Sequence, residues 1–252
     1  MPAPVAYGIH AVRVLLSRHP QRVRRVLLAG GREAGRLAEI RALADRAGVQ
    51  VTTADDALLD KLAEGQRHQG AVAEMLPQAA DPETQLEEAL EAGGSAPLLL
   101  VLDGVQDPHN LGACLRSADA AGVAAVIVPR DRAAGLTPVV RKVAAGAAET
   151  VPLVAVVNLA RTLRDLKQRG VWLVGTDDQA GKTLYDADLT GPIALVMGSE
   201  GEGLRRLTRE CCDLLVSIPM AGAVESLNVS VAAGVGLFEV VRQRAAAVAR
   251  KK

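Results

Sequence analysis

Apolar positions recur along the chain in two rhythms, and the balance between them changes near residue 97. In residues 5–75, amphipathic stretches alternate with short apolar runs. "GIHAVRVLLSR" (8–18) and "GRLAEIRALADRAG" (35–48) carry apolar residues at helical spacing, and Gly48 closes the second. "ADDALLDKLAEG" (54–65) predicts a third helix, ending at Gly65. Between these helices, "VRRVLLAG", "VQVTTA" and "GAVAEM" read as strands. The pattern predicts a small α/β domain over residues 1–75.

From residue 97 the strands become stronger. "PLLLVLDG", "AAVIVP", "ETVPLVAV", "VWLVGTD", "IALVMGSEG" and "LLVSIPM" are near-continuous apolar runs, as strands covered on both faces require. Helical segments are predicted at 110–122, 136–146, 158–169, 203–211 and 228–247. Together they predict a mostly parallel sheet with helices on both faces, spanning 97–246. The intervening 76–96 reads as a linker, with Pro77, Pro82, a Gly-Gly pair and an acid cluster; a short solvated helix fits at 83–92. Residues 247–252 form a basic tail.

Composition narrows the picture. The chain is 49% apolar but only 2% aromatic, so Ala, Val and Leu must build the core, and a surface that stacks many bases is excluded. Net charge is zero, yet unevenly spread: residues 1–48 hold nine arginines against three acids, and 49–95 hold two cations against ten acids. A neutral total thus leaves room for a basic, phosphate-reading N-terminal face, although a solvated helix surface explains the same charges. Cys114, Cys211 and Cys212 show neither disulfide nor metal spacing, so no metal is expected. No run of 18 apolar residues and no leader pattern occurs, which predicts a soluble, cytoplasmic protein without a membrane contact.

In a doubly covered parallel sheet, ligands sit beyond the carboxyl ends of the strands, so the loops there hold the chemistry. "AGKT" (180–183) fails as a phosphate loop, because the required glycine position is Thr176. "GSEGEG" (198–203) reverses the dinucleotide fingerprint, and its acids would repel a pyrophosphate. Ser199 is not in a G-x-S-x-G elbow either.

Three loops remain. In "DPHNLGACLRSADAAG" (107–122) Asn110 begins a helix, as a plain N-cap or as part of a site. Arg116 follows six residues later, in a helix otherwise made of small packing residues, where an arginine usually meets a carboxylate or phosphate. Glu200 follows a buried strand directly. In "VSIPMAGAVESLNVSVAAGVGLFEVVRQR" (216–244), Ser226 and Asn228 stand at the mouth of a small-residue helix, with Ser230 taken as structural.

These three stretches, "DPHNLGACLRSADAAG", "LVMGSEGEGL" and "IPMAGAVESLNVSVAAG", resemble the three signature motifs of the SpoU/TrmH family of RNA ribose 2′-O-methyltransferases, within the SPOUT superfamily. "YGIHAV" and "HQGAVA" resemble the family's small substrate-binding domain, so the likeness runs from Tyr7 to about Arg244. It is greatest to the members that methylate a guanosine of 23S rRNA.

The resemblance implies a deep trefoil knot in 97–246 and a homodimer. It implies S-adenosylmethionine (SAM) as methyl donor, in contact with Met197, Gly198, Ile218, Met220 and Leu227. Asn110, Arg116, Glu200, Ser226 and Asn228 would be the catalytic residues. A guanidinium is a poor proton acceptor, so Arg116 is expected to clamp a phosphate and favour the ionised 2′-hydroxyl rather than act as base. The N-terminal domain would capture 23S rRNA or a ribosomal precursor particle, with His10, Arg13, Arg22, Arg24 and Arg25 as candidate contacts. Glu225 departs from the family pattern, which has a small neutral residue there. The competing readings are methylation of tRNA or of another rRNA site, and a non-catalytic RNA-binding assembly factor.

Overall fold

A computed structural model of the chain describes residues 4–30, 35–76, 81–131, 133–199, 201–224 and 226–250. It divides into two compact units, Met1–Ala80 with Leu136–Thr150, and Asp81–Gly135 with Val151–Lys252.

The first unit is built on a four-stranded sheet in the order β1-β4-β2-β3, with β1 Val5–Tyr7, β2 Val23–Ala29, β3 Val51–Ala54 and β4 Ala71–Met75. Strand β4 runs antiparallel to β1 and β2, while β2 and β3 are parallel. The three-residue β1 is too short to read from the sequence pattern. Side chains alternate across a strand, so β2 serves two cores. Val26 and Leu28 pack with Val12, Leu15 and Leu16 of α1 (Ile9–Arg18) and Leu37, Ile40 and Ala44 of α2 (Arg36–Arg46). Leu27 and Ala29 pack with Leu59 and Ala63, brought by α3 (Asp56–Leu62). Asp55 caps α3 by accepting from the backbone N–H of Leu58 at 2.8 Å.

The second unit holds a six-stranded sheet in the order β10-β8-β9-β5-β6-β7, every neighbouring pair parallel. Its strands are β5 Leu98–Asp103, β6 Ala125–Pro129, β7 Leu153–Val156, β8 Trp172–Thr176, β9 Ile193–Gly198 and β10 Leu214–Val216. Helices cover both faces, as the continuous apolar runs predicted. Leu99, Val101, Ala194 and Val196 face α4 (Pro82–Ala92) and α8 (Leu159–Gln168) through Ala89, Leu163 and Leu166. On the opposite face, α10 (Val229–Ala249) crosses β9 so closely that a Cβ on Gly236 would fall 2.6 Å from Leu195. It also packs on α5 (Pro108–Ala120).

The helix expected at 83–92 forms as α4. It is not wholly solvated, because Leu86, Ala89 and Leu90 lie at helical spacing and dock on the core. The helix expected at 136–146 forms as α6 (Pro138–Ala144), followed by α7 (Ala147–Thr150), and both belong to the first unit. There Arg141 pairs with the buried Glu149, whose backbone carbonyl accepts from Arg22 at 3.3 Å.

Strand order places the site. From β5 the chain steps outward through β6 and β7, then returns through β8 and β9 on the other side of β5. The carboxyl ends of β5 and β9 are therefore the switch point of the sheet, where open α/β folds bind ligands.

Candidate active site

All three loops singled out in the sequence leave the carboxyl edge of this sheet, after β5, β9 and β10. The first begins at Asp103, the last residue of β5, and turns at Gly104, whose φ of +92° suits glycine alone. Asp107 then caps α5 by accepting from the N–H of His109 at 2.9 Å, with Pro108 in the first turn. The cap is thus Asp107 and not Asn110, which leaves the Asn110 amide available for other bonds.

That amide meets the third loop. Asn228 is the N-cap of α10, its Oδ1 accepting from the N–H of Ser230 at 2.9 Å and from the Ser230 hydroxyl at 2.6 Å. Its Nδ2 donates to Oδ1 of Asn110 at 2.9 Å. One side chain therefore caps a helix and ties two loops together, 118 residues apart in sequence. Ser226 is exposed and Leu227 half-buried, just before this cap. Arg116 lies on α5, exposed, with no hydrogen-bond or ion-pair partner among the described residues.

The second loop is a tight turn. Ser199 and Gly203 bond each other through both backbone pairs, at 3.1 and 3.0 Å. This folds the chain onto Gly198 so closely that a Cβ there would sit 2.1 Å from the Gly203 carbonyl carbon. Only glycine fits. Met197, the residue before it, is buried and receives a contact from the Thr176 hydroxyl at 3.7 Å. Ile218 is half-buried and Met220 exposed, both beyond β10. Glu200 and Glu225 lie outside the described residues.

Two partners in this region escaped the motif reading. Asp103 is fully buried, and its carboxylate accepts from Nε of Arg205 at 2.6 Å and from the Arg205 backbone N–H at 3.1 Å. A charged residue ending the apolar run "LLLVLD" was the available signal, since a buried carboxylate needs a partner. The "AGKT" segment is structural. Ser217 donates its N–H to the Lys182 carbonyl at 2.9 Å and accepts from Leu184 at 2.8 Å, extending the edge beside β10.

Thiol chemistry is disfavoured here by burial. Burial pushes the Cys114 thiol up to about 12, and burial beside Cys211 and Asp213 does the same to Cys212. Among the described residues no group of three or more His, Cys, Asp or Glu side chains is placed to hold a metal. A groove of about 580 Å³ between α4 and α8 lies away from the three loops. Its Arg169 is paired with Glu87 at 2.9 Å.

The basic positions of the first unit are unequal. Arg25 makes a two-pronged bond to Glu74, at 2.8 and 2.7 Å, which holds that carboxyl below the usual carboxylate range. Arg22 is partly buried, with its guanidinium pushed down by desolvation. Arg13 lies 3.7 Å from Glu39 and 3.5 Å from the exposed His10. Arg24 is exposed and has no hydrogen-bond or ion-pair partner among the described residues.

Known proteins resemble this chain over most of its length. Residues 97–238 match the model of the SpoU rRNA Methylase family, and residues 5–79 match a model described as RNA 2′-O ribose methyltransferase substrate binding. The 23S rRNA (guanosine-2′-O-)-methyltransferase RlmB of Pseudomonas putida is 60% identical over 238 residues, 94% of this chain and 96% of that protein. Among solved structures, the SpoU methyltransferase AviRb of Streptomyces viridochromogenes, in complex with the cofactor AdoMet, superposes with a TM-score of 0.79 at 30% identity. That match covers 96% of this chain and 90% of the other. The A. aeolicus TrmH/SpoU tRNA modifying enzyme matches with a TM-score of 0.55 at 31% identity, covering 65% of this chain and 84% of the other.

Proposed function

The chain belongs to the SpoU rRNA methylase family, and we propose that it transfers the methyl group of SAM to the ribose 2′-hydroxyl of a guanosine in 23S rRNA. The observation that carries this reading is identity at 60% across both domains with an enzyme named for that reaction. The tRNA-modifying neighbour spans only 65% of this chain, which favours the ribosomal substrate.

The cofactor suits the residues at the carboxyl edge. A turn folded onto Gly198 offers backbone groups at close range, and Met197, Ile218, Met220 and Leu227 supply apolar surface. The turn sequence has acids instead of cations, which fits a sulfonium and not a pyrophosphate. SAM, when bound, supplies an activated methyl and a good leaving group. What the protein must add is a placed, partly ionised hydroxyl, so catalysis is chiefly positioning and electrostatic stabilisation.

In this reading Arg116 grips the phosphate beside the target ribose and stabilises charge developing on the 2′-oxygen. The Asn110–Asn228 link sets the distance between the α5 and α10 loops, Ser226 and Asn228 orient the substrate and Arg116, and Glu200 fixes the Arg116 side chain or the loop. Residues 1–75 capture the RNA, and 97–246 carry the knot and the chemistry. The enzyme works in the cytoplasm as a homodimer, a state supported by Val231 and Phe238, both half-exposed and two helical turns apart on α10.

The test is methylation of 23S rRNA from an enzyme-deficient strain with labelled SAM, mapped by reverse-transcription stops. One 2′-O-methylguanosine in 23S rRNA is expected. Absence of any new 2′-O-methyl on rRNA or tRNA would end this reading.

A further inference from the structure

The turn closed by Ser199 and Gly203 is strapped down from both sides. Strand β9 lies between β8 and β5. After the turn, the chain enters α9 (Arg206–Cys211), with Arg205 as its N-cap residue. Arg205 reaches across to Asp103 at the end of β5, the residue in register with Gly198. One helical turn later, Arg209 reaches the other way: its Nε lies 2.7 Å from Oδ2 of Asp177, the residue following β8. Residues four apart share a helix face, so one face of α9 grips both strands that flank β9.

The two straps differ in strength. Asp103 is fully buried and uses both carboxylate oxygens on Arg205, one through the side chain and one through the backbone. A side chain alone would fix only charge; the added backbone bond fixes where the chain leaves the turn. Arg209 is half-exposed and holds a mostly buried Asp177. Asp177 is itself anchored, its N–H donating to the Val216 carbonyl at 2.9 Å.

Resting on the SAM reading above, we propose that Asp103 and Arg205 are positioning residues for the cofactor, with Asp177 and Arg209 as the weaker second strap. They hold the Gly198 turn in its receiving shape before SAM arrives. Disordering that turn should therefore weaken cofactor binding more than the chemical step, because the clamp Arg116 and its linked neighbours Asn110 and Asn228 come from the α5 and α10 loops and only Glu200 of the candidate catalytic residues lies in the turn.

The experiment is calorimetric titration of the full-length protein with SAM, alongside steady-state kinetics and thermal melting. Arg205→Lys keeps the charge but loses the planar fork and the Nε bond. It should raise both the Kd and the KM for SAM roughly tenfold, as when the support of a preorganised site is loosened, and leave kcat within about twofold. Arg209→Ala should raise the Kd by only about twofold, because Arg209 is half-exposed and Asp177 keeps its own backbone anchor to Val216. Asp103→Asn should resemble Arg205→Lys, and the lysine variant carries the test if the asparagine variant does not fold. A Kd unchanged in Arg205→Lys, with only the melting temperature lowered, would make the strap purely structural and overturn the proposal. Failure of the unaltered protein to bind SAM would instead overturn the functional reading beneath it.

Discussion

Arginines of the two units differ in how they are engaged. In the N-terminal unit, Arg25 is locked on Glu74, Arg22 is partly buried on a carbonyl, and Arg13 faces Glu39, so at least three of the nine arginines of residues 1–48 are engaged within the unit. In the methyltransferase unit, Arg205 is answered by Asp103, while Arg116, on α5 beside the candidate loops, stands exposed with no partner among the described residues, as Arg24 does in the first unit. A charge count alone therefore does not mark a site. What marks one is a cation held on a rigid element and left unpaired while its neighbours are committed.

The sharpest way to break this contrast is at Arg116. Arg116→Ala should lower kcat by roughly 10²–10³-fold, the loss expected when one preorganised stabilising group is removed, with SAM affinity nearly unchanged. Arg116→Lys should recover little of it, since a point charge cannot grip phosphate in two places. Single-turnover methylation of 23S rRNA checks both, and a lysine variant near full activity would rule out the bidentate clamp.

Next in size is the link between Asn110 and Asn228, because the two ends carry different burdens. Asn228→Ala removes a helix cap and the link, so it should cost about 1 kcal/mol of stability as well as turnover. Asn110→Ala removes the link while Asp107 still caps α5, so turnover should fall roughly tenfold with the melting temperature almost unmoved. Melting and turnover measured on the same preparations decide it. If Asn110→Ala left turnover intact, the link would be architecture alone.

A smaller effect separates neighbours in the first unit. Arg24→Ala should weaken binding of a 23S rRNA fragment and lower the slope of log affinity against log salt by roughly 0.7–0.9, the share of one phosphate contact. Arg25→Ala should change that slope much less, because Arg25 is committed to Glu74. Equal slopes for the two would mean that pairing within the unit does not decide which arginine meets RNA.

Much of this was legible in the sequence. The six strong apolar runs gave the parallel sheet, because a strand buried on both faces has no polar alternation to hide it. Glycine and polar groups in three separate loops identified the candidate edge, but not the bonds across it. The 2.9 Å tie between Asn110 and Asn228 and the buried pairing of Asp103 with Arg205 join residues 118 and 102 positions apart. Nothing local specifies such pairings; strand order does. The same limit hid the placement of Leu136–Thr150 in the first unit, since its helical pattern says nothing about which core it completes. The arginines of 1–48 looked alike in sequence, and only cross-strand register set Arg25 opposite Glu74.

The faintest test of the contrast uses acid. In the first unit, burial pushes the His19 imidazole below its ordinary value of 6.5, with Arg22 adding to the shift. A folded pKa lowered this way means that the unfolded chain takes up the proton first. The stability it provides is complete above about 6.5 and is lost as pH falls through the folded value. Carboxyls lowered by their partners, Glu74 in the first unit and Glu239 beside Arg242 in the second, behave with the same sign. Their loss begins only below the ordinary carboxylate range, near 4.5. Between pH 6.5 and 5, then, the first unit should loosen while the second does not. Amide exchange followed by mass spectrometry, corrected for intrinsic rates, should rise in 5–29 over that interval and stay level in 98–103. His19→Gln should flatten the rise, since it removes the titrating group. A rise that persists in His19→Gln would place the acid sensitivity elsewhere in the unit.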